Sequence, residues 1–386
     1  MRKWLRVTSI VASIAIIATS GLAYFFSKTA STAIPRSKAL KGAKQSINGD
    51  TNILLLGLDS RRDNNGNNLP RKLLDYMHVG SSSQVGGYNT NTMIVIHIPA
   101  NGKNAVAISI PRDDYVAVPG LGMKKIKEAY GLSKYYSEIQ LVKQGIKNPD
   151  LEHQSREAGR TATIATISQL LGIPIDHFAE VNLVGFYDLA TALGGIQVCL
   201  NRAVNDSQYS GAVFPAGVQT ITGVQALQFV RQRHGLPNGD LDRTHRQQAF
   251  ITGVITKFRT QGLFGDIGKL QSLLNVAKKD VVIDDGFDVL GFLPQAKALT
   301  GGHITFHTLP ILKYSMINGQ SVNEIDPVAV KQYVQDLFYP KPKPSASPSP
   351  SSTGTTKGKT KIKKTIPLIN QANGKPVDGS AIPCVN

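Results

Sequence analysis

The chain has 386 residues, with 43 Lys plus Arg against 26 Asp plus Glu and a formal charge of +17. The excess sits at the ends: residues 1–49 carry eight basic side chains and no acidic one, residues 340–386 carry eight lysines against Asp378, and the stretch between is left near +2. That distribution argues against nucleic acid as a partner, which needs the charge on the folded surface, and the composition excludes collagenous, coiled-coil and polytopic membrane chains.

Arg2, Lys3 and Arg6 precede an uncharged stretch from Val7 to Phe26, after which Lys28 returns. About twenty residues is the length a helix needs to cross a bilayer. Basic residues ahead of it stay in the cytoplasm, so residues 1–6 read as a cytoplasmic N-terminus, 7–26 as a transmembrane helix and the rest as extracytoplasmic. A cleavable signal peptide is the alternative, with small residues at Ser31-Thr32-Ala33; either way the domain is exported. Residues 27–49 form a basic juxtamembrane linker, suited to an anionic membrane face or simply to solubility.

Asn52–Leu58, Met93–Ile98, Ala105–Ile110 and Ala179–Leu183 are short apolar runs between turn signals, as expected for buried strands. Residues 156–171 place Ile164, Ile167, Leu170 and Leu171 on one helical stripe, stopped by Gly172 and Pro174. Further helices are predicted at 183–193, 223–233, 240–260, 266–278 and 327–338. Strands interleaved with helices predict an α/β domain over 50–339, a three-layer α/β/α sandwich. Gly194-Gly195 leads into another strand, and Phe214 to Gly223 reads as a hairpin.

From Pro340 the chain is rich in Pro, Ser, Thr and Lys, so 340–386 reads as a disordered, wall-threading tail that turns apolar again at Ile382-Pro383-Cys384-Val385. With only one other cysteine in an exported chain, a Cys199–Cys384 disulfide tying the tail to the domain is expected; two separate thiols are the alternative.

Polar chemistry is densest between Phe229 and Gln248, where Arg231, Arg233, Arg243 and Arg246 accompany Asp240 and Asp242. On a helix starting near Asp240, residues 240, 243 and 247 lie within about sixty degrees of one another, while Arg246 points about 120 degrees from Asp240. Arg231 and Arg233 would diverge on a continuous helix, but Gly235 and Pro237 end it and let both forks bend into one site. Arginine's planar donors suit phosphate oxygens, so converging arginines point to an oligoanion, most simply a pyrophosphate. A solvated helix face with Arg/Asp pairs is the plainer reading. Two strand ends tilt the balance: Asp59-Ser60-Arg61 and Ser109-Ile110-Pro111-Arg112-Asp113 sit where α/β sheets bind ligands. A carboxylate beside phosphate is the usual Mg²⁺ holder, which makes Asp59 a metal candidate.

Gly57-Leu-Asp59-Ser-Arg61, Ser109-Ile-Pro-Arg112-Asp113, Lys125-Ile-Lys127-Glu128-Ala-Tyr130, Leu193-Gly-Gly-Ile-Gln-Val, and Arg231-x-Arg233 followed by Asp240-x-x-Arg243-x-x-Arg246-Gln247-Gln248 together resemble the LytR-CpsA-Psr family of cell-envelope glycopolymer ligases over residues 50 to about 335. The resemblance implies a central mixed sheet and an extracytoplasmic transferase that moves a glycan from a polyprenyl-pyrophosphate carrier to a peptidoglycan acceptor, at the cytoplasmic membrane. It implies that Arg61, Arg112, Arg231, Arg233 and Arg243 grip the pyrophosphate, that Gln247 contacts the head group, that Asp59 holds Mg²⁺, and that Asp240 is the acid/base or orienting carboxylate.

Two positions depart from the family pattern. Asn91 stands where the family usually has a metal-neighbouring aspartate, which should weaken Mg²⁺ binding, and Lys127 stands where asparagine is common. A polyprenyl-pyrophosphate phosphatase and a non-enzymatic wall-polymer binding or regulatory protein are the rival readings. His303 and His307 read as structural, and Ser81–Ser83 lacks the setting of a hydrolase nucleophile.

Overall fold

The computed structural model describes residues 34–80, 87–260, 267–289, 291, 292, 295, 304–340, 377–379 and 381–386. The expected membrane helix at 7–26 with its flanks, Ser81–Ser83, His303 and most of the tail lie outside these residues. Among the described residues, no helix is long and apolar enough to cross a membrane.

In chain order the elements are β1 (Arg36–Ser37), β2 (Thr51–Asp59), α1 (Arg71–Tyr76), β3 (Asn89–Ile98), β4 (Ala105–Ser109), β5 (Tyr115–Val118), β6 (Gly122–Lys125), α2 (Glu128–Lys143) and α3 (Asp150–Leu171). Then come β7 (His177–Asn182), α4 (Leu183–Ala192), β8 (Ile196–Leu200), β9 (Val204–Asp206), β10 (Ala212–Phe214), β11 (Gly217–Ile221), α5 (Gly223–Arg231) and α6 (Asp240–Thr260). Last are α7 (Ile267–Asp280), β12 (Val281–Asp284), β13 (Ile304–Thr308), β14 (Lys313–Ile317), β15 (Gln320–Glu324), α8 (Pro327–Phe338), β16 (Val377–Asp378) and β17 (Cys384–Val385).

Eight strands form a mixed central sheet in the order β1-β12-β7-β2-β3-β4-β13-β16. β2 runs parallel to β7 and antiparallel to β3. Its apolar residues alternate between two buried faces, which is why the run is continuous. Leu54 and Leu56, with Val95 and Ile108, pack under Ile164, Ile167 and Leu171 of α3 and Val330 and Val334 of α8. Ile53 faces the other way towards Leu274 and Ala277 of α7, and Ile94 and Phe306 towards Ile251 and Ile255 of α6. Helices therefore cover both faces, as expected.

A second sheet, β11-β8-β17, lies against α6. The contact is close because of Gly253: a Cβ there would collide with the backbone oxygen of Gln197. Three expectations change here. Residues 214–223 do not fold back as a hairpin; β11 pairs antiparallel with β8, while β10 pairs with β9. The supposed linker contributes β1, with Arg36 and Ser37 in register with Ile283 and Asp284 of β12. The end of the tail is folded rather than disordered: β17 extends β8 in parallel and Val385 is buried in the core. The expected disulfide between Cys199 and Cys384 is present.

Candidate functional site

The polar residues singled out from the sequence gather at one edge of the central sheet, where β2 and β4 end and antiparallel β3 begins. A bulge shapes this edge. Gly57 pairs with Thr92 and Leu58 with Thr90, so Asn91 is the extra residue of β3. Gly57 is required for this approach, since a Cβ would sit 2.8 Å from that of Thr92. The bulge brings Asn91 between Asp59 and Arg112: its Nδ2 donates to Asp59 Oδ2 at 2.9 Å, and its Oδ1 accepts from Arg112 Nη1 at 2.8 Å. Arg61, buried, donates from Nη1 to the other oxygen of Asp59 at 2.7 Å and from Nε to the Gly80 carbonyl at 3.1 Å.

The helical segments bring in the rest. Arg231, the last residue of α5, donates from Nη1 to the carbonyls of Met77 and His78. Arg233 lies exposed just beyond. On the first turns of α6, Arg243 is buried and donates from Nη2 to the Asn91 carbonyl at 3.3 Å, while its Nε has no partner among the described residues. Gln247 donates to the Val230 carbonyl at 3.4 Å. Gln248 pins the helix to the sheet by donating to Ser109 Oγ at 2.9 Å and Thr308 Oγ1 at 3.1 Å.

These groups open onto a cavity of about 750 Å³. Leu55, Phe186, Leu189, Leu227, Phe250 and Ile251 line its apolar part. Asp59, Arg61, Asn91, Arg112, Lys127, Arg231, Arg233, Arg243 and Gln247 line the polar part. Asp240 is not among the lining residues: its Oδ1 lies 3.0 Å from Arg112 Nε and 2.8 Å from Arg243 Nη2, ion-pair distances that are out of line for hydrogen bonds. It is placed to hold two arginines rather than to reach into the cavity.

Burial pushes Arg243 down to about 10, against the pull of Asp240, and also lowers Arg231. Lys127 is lowered chiefly by burial, with Arg112 and Lys125 pushing the same way and its 2.6 Å hydrogen bond to Asp113 opposing. Burial would raise Asp113, but the Lys127 hydrogen bond and the Arg112, Lys127 and Lys125 charges hold it below the usual carboxylate range.

The Mg²⁺ ligand set suggested by the resemblance does not fit these residues. Both Asp59 oxygens are engaged, one by Arg61 and one by the Asn91 amide. Asp59 only accepts and Arg112 only donates, so the amide between them has one satisfied orientation, with its oxygen on Arg112. Turning that oxygen towards a cation shared with Asp59 would break both hydrogen bonds and set amide N–H against guanidinium N–H. No cluster of three or more His, Cys, Asp or Glu side chains able to hold a metal ion occurs among the described residues.

Sequence reasoning missed the charged layer beneath the cavity. Glu180, a lining residue, is gripped by Arg160 through Nε at 2.8 Å and Nη2 at 2.9 Å. Arg156 joins Glu152 at 2.7 Å, and Lys134 joins the same carboxylate at 3.0 Å. All five side chains are buried. The signal was the four-residue spacing of Arg156, Arg160 and Ile164, which continues the apolar stripe of α3 in charged residues. His307 contacts the Tyr333 hydroxyl at 3.2 Å, and burial lowers its pKa; it does not line the cavity.

Fold and site together define an α/β/α domain whose sheet edge joins an apolar cavity to a cluster of cations. The chain belongs to the LytR_cpsA_psr family, whose sequence profile matches residues 23–338. Cell wall biosynthesis protein LcpA of Corynebacterium glutamicum is 39% identical over 332 residues, which is 84% of this chain but only 63% of LcpA, so the chain spans less than two thirds of that relative. The polyisoprenyl-teichoic acid–peptidoglycan teichoic acid transferase TagU of Bacillus licheniformis is 28% identical over 295 residues, 73% of this chain and 79% of TagU. The structure of TagT bound to LIIa-WTA superimposes with a TM-score of 0.51 at 20% identity, covering 76% of this chain and 94% of that one, a likeness of fold.

Proposed function

We propose that this chain transfers a glycan from a polyprenyl-pyrophosphate carrier to peptidoglycan, acting outside the cytoplasmic membrane with residues 7–26 as its anchor. The observation that carries this reading is the continuity of an apolar cavity with Arg61, Arg112, Arg231, Arg233 and Arg243 at one sheet edge. An amphiphile with a pyrophosphate head meets both halves: apolar walls take the prenyl chain and planar donors take the phosphate oxygens. The names of LcpA and TagU point the same way.

In this reading an acceptor hydroxyl attacks the phosphorus that carries the glycan, the bridging P–O bond breaks, polyprenyl phosphate leaves, and the hydroxyl proton passes to the departing phosphate or to water. The site contributes position and charge, since phosphoryl chemistry asks little covalent work of the protein. Asp240, between Arg112 and Arg243, orients them.

Full-length protein in detergent, given a polyprenyl-pyrophosphate-linked glycan, should form glycan-linked peptidoglycan only when the acceptor is added. Phosphate release without acceptor would favour a phosphatase, and tight binding with neither product a binding protein. A reporter fused after Asn386 should be membrane-associated and outside the cytoplasm; a shortened soluble chain would remove the anchor.

A further inference from the structure

We propose that this site neutralises its pyrophosphate with protein cations alone, and that Asn91 is the positioning residue that makes a divalent cation unnecessary; the inference rests on the pyrophosphate reading above. Asn91 is a relay of two hydrogen bonds, accepting from Arg112 Nη1 at 2.8 Å and donating to Asp59 Oδ2 at 2.9 Å, and Arg61 Nη1 closes the array on Asp59 Oδ1 at 2.7 Å. Each link in the run Arg61–Asp59–Asn91–Arg112 sets a donor against an acceptor. The bulge at Gly57/Leu58 fixes the relay by aiming the extra residue of β3 into the gap.

An aspartate at position 91 would change the electrostatics. Two carboxylates would face each other across the distance now spanned by an N–H···O bond, an arrangement that calls for a shared proton or a shared cation. The amide carries no charge and supplies the donor itself, so the demand disappears.

The positive charge a metal would have brought is present in another form. Lys127 lines the cavity and shares Asp113 with Arg112, whose Nε is 3.6 Å from that carboxylate. The backbone ties Lys127 to the same edge, since its carbonyl accepts from Thr90 N at 3.1 Å and its N–H donates to the Arg112 carbonyl at 3.2 Å. Arg61, Arg112, Lys127, Arg231, Arg233 and Arg243 line the cavity against the carboxylates of Asp59, Glu180 and Asp206, and Glu180 is already taken by Arg160. A surplus of cations faces the space where the phosphates would lie.

The test pairs metal binding with turnover in full-length protein. Manganese binding, read by electron paramagnetic resonance without substrate, should be absent in the wild type and appear in Asn91→Asp. Transfer by the wild type should change less than twofold between EDTA and millimolar Mg²⁺. Asn91→Asp should lose tenfold or more in EDTA and recover with Mg²⁺, and Lys127→Asn added to it should deepen the loss in EDTA. A wild type that binds manganese, or that loses tenfold in EDTA and regains it with Mg²⁺, would overturn the proposal; an Asn91→Asp protein that binds none would overturn the role given to Asn91. Because manganese binding needs no substrate, the expected binding pattern without any turnover would uphold the relay while removing the transferase reading.

Discussion

Arg246 of α6 donates from Nε to the backbone oxygen of Asn386 at 2.5 Å, so the helix that presents Arg243 and Gln247 to the cavity is held from behind by the last residues of the chain. The hold has several points. Asn201 N–H donates to the Val385 carbonyl at 2.9 Å, the disulfide closes Cys384 onto Cys199 on the strand under α6, and Gly379 N–H donates to Ile304 of the central sheet at 2.8 Å. The segment therefore joins two sheets across one helix. Replacing both cysteines by alanine should lower stability by about 2–5 kcal/mol, the usual range for losing a native disulfide. Urea unfolding of the oxidised wild type against the double variant checks this, and equal midpoints would mean that β17 docks without the covalent link.

Arg246 does not line the cavity, in keeping with its direction on the helix. It is fully buried, with its guanidinium 5.1 Å from the Phe229 ring. Its Nη1 and Nη2 have no partner among the described residues. Arg246→Ala leaves a void and should cost about 2–5 kcal/mol, as large-to-small core changes do. Arg246→Met fills the space without burying a half-paired charge and should match or exceed the wild type. Thermal unfolding of the two variants separates the contributions of volume and charge; a Met variant as weak as the Ala one would show that the bond to Asn386 dominates.

The elements legible in the sequence are those with a repeat. β2, β3 and β4 are buried on both faces and read as apolar runs, and α6 and α8 have the bounds their caps and periodicity suggest. Asp59 and Arg112 stand out as charged residues at the ends of apolar runs, whereas Asn91 stands out only against the family pattern. What was hidden has no period of its own. α2 buries only Ala129, Tyr130 and Lys134, so no apolar stripe marks it. β16 and β17 are two residues each, too short for alternation to show. Charged residues at Arg156 and Arg160 suggest a solvated face, and only the fold reveals the carboxylates of Glu152 and Glu180 inside.

Arg112 follows β4 while Arg231 and Arg233 lie at the end of α5, and a shared anion gives them a common reason to matter. Each Arg→Ala change should reduce transfer tenfold or more, corresponding to the roughly 1.5–3 kcal/mol of a hydrogen bond to a charged group. Arg233 is the cleanest case because it is exposed, so its removal should leave the melting temperature unchanged. Arg231 also ties the carbonyls of Met77 and His78, and its loss should lower stability as well. Arg→Lys should rescue only in part, since charge is kept and the fork is lost. Full activity of all three Ala variants in folded protein would remove the pyrophosphate site.

Lys127 gives the site a pH signature. Burial, with help from Arg112 and Lys125, lowers its pKa below the ordinary lysine value, and Asp113 opposes without cancelling the effect. The charged form binds the anion, so transfer should decline on the alkaline side as Lys127 loses its proton, at a pH below that of a free lysine. Lys127→Arg keeps its charge throughout this range and should shift the decline to higher pH, whatever it does to the maximum rate. Lys127→Met should lower the rate at neutral pH and flatten the alkaline limb. The measurement is transfer rate against pH from 7 to about 10 for the three proteins at fixed ionic strength. An alkaline limb that is identical in wild type and Lys127→Arg would assign the titration to another group and take Lys127 out of the charge that meets the pyrophosphate.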